Sequence, residues 1–186
     1  MTKAINKNPT TITNPERTAT PLFATNYHVY INHTDAGGIV YHANHLVFFE
    51  NCRRDWFTQL GLNGYFLQAD DGQIQHFVVT QADLQYKRAI LLDEVINVRI
   101  DNVEIKSASI VFYQSIYRQQ SQNNAVGDAT ACLLSSTKIV VACVQNQINS
   151  NSLDNNGSNK TAPMRPIRVP QKLRDAIEQA IGEHNK

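Results

Sequence analysis

The sequence predicts an α+β domain in which one long apolar helix is covered by an antiparallel sheet. Three observations carry this. The stretch HLVFFENCRRDWFTQL at 45–60 gathers its apolar residues on one broad helical arc. Several later segments are extended, rich in β-formers and alternating or continuously apolar. Short connections carrying Asp, Asn and Lys separate most of them, as in hairpins and meanders.

The elements follow in order. Residues 1–24 are rich in Thr, Asn, Lys and Pro without periodicity and read as a mobile tail. Residues 27–32 (YHVYIN) alternate and read as the first strand. The helix over 45–60 has Phe48, Cys52, Trp56, Phe49, Leu60 and Leu46 on its apolar arc, with Val47 and Phe57 outside it. Asn44 is the expected N-cap and Gly61 the expected stop. Arg53 falls inside the arc and Glu50 at its edge, three residues apart, so the two are expected to pair. A loop over 61–72 leads to four extended segments at 76–87, 95–105, 108–118 and 125–144. Residues 146–162 are mostly Asn, Ser, Gln and Gly and read as a flexible insertion in a domain spanning 25–145. Residues 163–186 read as a proline-extended segment and a short amphipathic helix.

With 186 residues and 42% hydrophobic content, the chain has enough apolar material for one domain. A net charge of +1 gives no global pull toward nucleic acid or membrane. Cys52, Cys132 and Cys143 match neither a zinc site nor a disulfide framework and suit a reducing cytoplasm. Neither a signal peptide nor a membrane-length apolar run is visible, so a soluble protein is expected.

The chemistry converges on residues 32–60. Asp35 stands at an expected strand end, just before Gly37 and Gly38, which let the backbone turn and a ligand come close. A helix start follows, gathering unpaired N–H groups and the positive dipole end near Tyr41 and His42. A carboxylate facing such donors suits reactions that develop an oxyanion. Asp35 can act as nucleophile or as general base, or it can merely cap its turn. His28, His33, Asp35, His42 and His45 are dense here, yet their spacing matches no standard metal site.

The run T-D-A-G-G-I-V-Y-H-A-N at 34–44, followed by F-F-E-N-C-R-R, resembles the YbgC / 4-hydroxybenzoyl-CoA thioesterase family. The resemblance spans about 29–144 and resumes near 163–177. It implies a hotdog fold, with the sheet wrapped around the helix, and hydrolysis of acyl-CoA without metal or redox cofactor. It implies Asp35 as the catalytic carboxylate. It also implies that the backbone amide of His42, with that of Tyr41 nearby, polarises the thioester carbonyl. The His42 side chain matches a position proposed as functional in the YbgC branch, whereas Tyr41 is expected to pack.

Gly37, Gly38, Val40 and Phe49 are expected to meet the substrate, the acyl chain lying along the apolar side of the helix. Lys87 and Arg88 are expected at the nucleotide end of coenzyme A, with Arg118, Arg165 and Arg168 as further candidates. An acyl carrier protein thioester, presenting the same phosphopantetheine arm, is a second possible donor. The resemblance also implies a homodimer or homotetramer, its site at the subunit boundary and completed by residues around 78–84 of a second chain. Two positions depart from the family: Ile31 replaces a Tyr four residues before the aspartate, and His45 replaces the last Tyr of the Y-H-x-x-Y run. Competing readings are a hotdog hydratase, a metal hydrolase and a non-catalytic acyl-binding protein.

Overall fold

The computed structural model describes residues 20–62, 67–68, 74–119, 132–145 and 164–184. The expected N-terminal tail up to residue 19, the expected insertion at 146–162 and the start of the expected last strand lie outside them. The described chain runs β1 (Phe23–His28), a 3-10 turn (Ile31–His33), α1 (Asn44–Gln59), β2 (Leu67–Gln68) and β3 (Ile74–Tyr86). It continues with β4 (Val95–Ile105), β5 (Ser109–Arg118), β6 (Leu133–Gln145), β7 (Arg165–Pro166) and α2 (Gln171–His184). The strands form one antiparallel sheet in the order β1-β4-β5-β6-β3-β2. At the end of β6, past the last β5 partner, β7 pairs with Val144 and Gln145.

α1 lies against this sheet. Phe48, Phe49, Cys52, Trp56 and Phe57 pack on Ile96, Val98 and Ile100 of β4, Ile110, Phe112 and Ile116 of β5, and Ile139 and Val141 of β6. Each such side chain contributes about 1.5–3 kcal/mol when fully buried. Phe57, expected outside the apolar arc, is buried between Phe112 and Phe77, with ring centroids at 6.0 and 6.4 Å. β3 reaches Phe57 through Phe77, so the helix is covered on that side as well.

The helix stops as expected. The Gly61 N–H donates to Thr58 O and the Leu62 N–H to Phe57 O, a Schellman closure with Leu62 and Phe57 both in the core. Arg53 is buried against Glu50, as expected. Its Nη1 also donates to Gln114 Oε1 at 2.7 Å, and Gln114 Nε2 donates to Phe49 O. α2 buries Leu173 and Ile177, and Arg174 Nη2 donates to Lys106 O.

Three expectations change. The first strand occupies Phe23–His28, paired with β4 from Ile100 to Val95, rather than 27–32. The chain leaves the sheet after His28 because local side-chain bonds compete with the ladder. The Tyr30 N–H donates to His33 Nδ1, and Thr34 Oγ1 donates to Ile31 O, closing the turn at 31–33. Ile31 and Tyr30 therefore do not alternate across a strand. Second, the N-cap is Ala43, and Asn44 is the first helical residue. Third, Leu67–Gln68, inside the expected loop, pairs with β3.

Candidate active site

Asp35 opens a tight turn rather than ending a strand. The Asp35 N–H donates to Ile39 O at 2.9 Å and the Tyr41 N–H to His33 O at 3.0 Å, on either side of a Thr34–Val40 bridge. Gly38 closes the turn at φ +72°, a conformation that glycine adopts freely. The Gly37 N–H donates to Asp35 Oδ1 at 2.8 Å, and a Cβ at Gly37 would stand 3.1 Å from that oxygen. The ladder sends Val40 into the core and turns Asp35, Ile39 and Tyr41 outward. In a single chain the Asp35 carboxylate is exposed, with one oxygen on its own turn.

The head of α1 follows at once. No side chain caps it. Asn44 instead sends Nδ2 to His33 O at 2.8 Å, while the Asn44 N–H donates to Tyr41 O at 2.8 Å. Of the two expected donors, the Tyr41 amide is therefore occupied by His33. Among the described residues the His42 amide has no partner. The peptide that carries it already accepts from Asn44 at its carbonyl, which polarises its N–H. The helix dipole adds partial positive charge at the same end. The His42 side chain is exposed, and Tyr41, expected to pack, is half-exposed with its ring 4.2 Å from that of His42.

The connection between β3 and β4 supports this loop from outside. The Val40 N–H donates to Ile90 O, the Leu92 N–H to Gly38 O, and Ile39 bridges Leu91. Glu94 pins that connection by accepting from the Leu91 N–H while pairing with Arg118 at 3.0 Å. Arg118 Nη2 also donates to Ala89 O, so Arg118, a candidate for coenzyme A, has partners within the chain while staying 36% exposed.

Of the expected substrate contacts, Gly37, Lys87 and Arg88 are exposed and Gly38 is half-buried. Lys87 and Arg88 directly follow Tyr86, whose hydroxyl donates to His42 O at 3.0 Å. Val40 and Phe49 are buried in the core, at 5% and 0% exposure in this chain. They pack there because the bridge and the helix wheel both turn them toward the sheet. Arg165 and Arg168 are exposed on the approach to α2. A groove of about 470 Å³ lies at the opposite end of α1, beside Trp56, Leu60, Ala176 and Ala180, and is separate from Asp35. Among the described residues no three His, Cys, Asp or Glu side chains gather as a metal site, and no helix is long and apolar enough to cross a membrane.

His45 is buried in the first turn of α1. Desolvation first, and the neighbouring His42 second, push its pKa down to about 4 from 6.5. The unfolded chain therefore binds a proton in the window between those values that the folded chain refuses. Stability is complete above the upper value and falls as pH drops through the window. Urea unfolding of the wild type is expected to show this acid loss, and His45→Phe to flatten it.

Tyr86, Ser135 and Glu94 are the site's neighbours that sequence reasoning missed. Only the sheet register and the β3–β4 connection bring them to the loop.

Comparison with known proteins identifies the family and the fold. The sequence model of the thioesterase-like superfamily matches residues 29–177. An acyl-CoA thioesterase YbgC of Haemophilus influenzae is 30% identical over 149 residues, covering 80% of this chain and 89% of that one. An acyl-CoA thioester hydrolase YbgC of Escherichia coli O6:H1 is 29% identical over 125 residues, covering 67% and 84%. A 4-hydroxybenzoyl CoA thioesterase variant, solved with 4-hydroxybenzoyl CoA, superposes with a TM-score of 0.60 at 14% identity, over 85% of this chain and 97% of that one. A hypothetical protein of Thermus thermophilus superposes with a TM-score of 0.60 at 20% identity, over 84% and 98%. With its antiparallel sheet packed on a central helix, the chain belongs to the thioesterase-like superfamily and is a thioester hydrolase of the hotdog fold.

Proposed function

We propose that this protein is an acyl-CoA thioesterase that uses Asp35 and the backbone amide of His42. The unpartnered His42 amide at the uncapped head of α1, one short ladder away from Asp35, is the observation that carries this reading. The thioester carbonyl oxygen takes the position of the absent partner, and the amide and helix dipole stabilise the charge that develops there. Asp35 either takes a proton from the attacking water or attacks the carbonyl carbon itself. In the first route water oxygen bonds to carbon, the C–S bond breaks, and the thiolate leaves to be protonated. In the second an anhydride forms as the thiolate leaves, and water then cleaves it. The exposed His42 imidazole is suited to returning the proton. Lys87 and Arg88, exposed directly after Tyr86, supply the positive charge for the coenzyme A phosphates in this proposal. The reading also covers carrier-protein thioesters, which present the same arm, and places the enzyme in the cytoplasm, where its free thiols stay reduced.

The working unit in this proposal is a homodimer or a homotetramer built from such dimers. Beyond its short pairing with β2, one edge of β3 has no strand beside it among the described residues, and Val78 and Val79 are exposed there. Ile39, Tyr41, Tyr86 and Leu91 add exposed apolar surface around Asp35. An open apolar edge favours a symmetric partner, and a second copy would also enclose the Asp35 carboxylate. The double change Val78→Lys, Val79→Lys is expected to give monomers in analytical ultracentrifugation, with thiol release lost.

The test of function is thiol release over acyl-CoAs of graded chain length and aromatic acyl groups. Binding without release by any of them would indicate an acyl-binding protein instead.

A further inference from the structure

A chain of contacts runs from the core to the helix mouth and takes no part in the reaction proposed above. Ser135 on β6 is fully buried, and its Oγ lies 3.0 Å from His45 Nδ1. The His45 ring, 4% exposed, meets Tyr86 edge-on, with centroids 5.0 Å apart and planes at 87°. Tyr86 and Ser135 stand opposite each other in the β3–β6 register, so both touch His45 from one place on the sheet. Tyr86 then donates its hydroxyl hydrogen to His42 O at 3.0 Å.

We infer that Ser135, His45 and Tyr86 are positioning residues that hold the His42–Ala43 peptide, and with it the amide donor at the head of α1, in the orientation used for thioester hydrolysis. The inference rests on the reading of His42 as the oxyanion donor. Local structure ties down that donor's own peptide but not the one that follows it. Ala43 brings no side-chain cap, and the first turn starts with a tight Leu46 N–H to Ala43 O bond. The Tyr41–His42 peptide is tied down by Asn44. The next peptide is tied down by Tyr86.

Tyr86 itself is half-exposed on a strand with an open edge, and free tyrosines there change rotamer easily. The His45 ring blocks that motion, and the Ser135 hydroxyl fixes the plane of the His45 ring. Imidazole suits this place because one side chain offers both an aromatic edge and a hydrogen-bonding nitrogen. Small errors in the direction of a donor cost rate rather than ground-state binding, because the oxyanion needs it most in the transition state.

Tyr86→Phe removes one oxygen and keeps the ring. It is expected to lower kcat for thiol release by about tenfold, the kinetic equivalent of one neutral hydrogen bond, with KM changed by less than about twofold. Ser135→Ala is expected to act in the same direction and more weakly. The double variant should be no slower than Tyr86→Phe alone, because both act through one peptide. A second readout is independent of turnover: the carbonyl carbon-13 resonance of labelled His42 should move in Ser135→Ala, whose side chain bonds His45 and not that carbonyl.

A purely structural role would lower the unfolding midpoint and leave kcat and that resonance unchanged, and this result overturns the inference. Asp35→Asn, assayed alongside, separates the two levels. Loss of release in Asp35→Asn with unchanged kcat in Tyr86→Phe refutes the positioning role alone. A wild type that releases no thiol from any acyl-CoA refutes the catalytic reading and this inference together.

Discussion

Asp35→Asn is expected to reduce thiol release by roughly a hundredfold or more. The substitution is nearly isosteric, and the asparagine oxygen can still accept from the Gly37 N–H, the bond that shapes the turn. The ladder on either side is backbone to backbone and does not involve the carboxylate. Asparagine has neither the basicity to activate water nor the charge to attack an acyl carbon, so both proposed routes fail together. An exposed residue whose turn survives should change stability by less than about 0.5 kcal/mol. The check is paired: initial rates of thiol release and a thermal unfolding curve on the same preparation. Equal rates for mutant and wild type would remove Asp35 from the mechanism. A rate loss accompanied by a large drop in unfolding temperature would assign Asp35 to the turn instead.

The largest effect on stability is expected at Glu50. Arg53 is 2% exposed on the sheet side of α1, and Glu50 is the carboxylate beside it, itself 37% exposed. Gln114 supplies a neutral acceptor to Nη1, and Nε has no hydrogen-bond partner. Glu50→Ala leaves a buried guanidinium without its counter-charge, which costs about 3–5 kcal/mol for a fully desolvated pair. The partial exposure of Glu50 places the expectation at the lower end of that range. The double variant Glu50→Ala, Arg53→Met removes both charges and fills the space, so it should recover part of the loss. It should not recover all of it, because Gln114 Oε1 loses its donor. Urea unfolding of both variants beside the wild type reads these differences directly.

Much of this architecture was legible in the residues. The helix at Asn44–Gln59 and the strands Val95–Ile105 and Ser109–Arg118 stand almost where periodicity placed them, because each buries one face and its pattern repeats with the period of the element. The Glu50–Arg53 pair and the Gly61 stop were legible for the same reason: both are contacts within one helix, separated by fixed steps. The first strand was misplaced because YHVYIN carries the stronger β-pattern. Pairing is settled by where β4 begins, and His28 meets its first residue, Val95. Phe57 lies outside the arc of the helical wheel yet is buried, because a wheel does not show that β3 brings Phe77 to that side of the helix.

The candidate site divides along the same line. The order Asp, Gly-Gly, helix start is a local motif, and sequence alone put a carboxylate, a turn and a helix start within ten residues of one another, but with Asn44 as its cap, whereas in the fold Ala43 stands there and no side chain caps the helix. Which donors stay free was decided by folding, because the occupied ones find partners only once the loop closes on itself: the Tyr41 amide at His33, and the Asn44 side chain at the same carbonyl. Arg118 was paired with Glu94, and Tyr86 and Ser135 were brought to His45, across separations that no periodicity spans. Local order follows from covalent neighbours and side-chain period. Partners far apart in the chain depend on strand register and helix-on-sheet packing, which belong to the whole assembled domain.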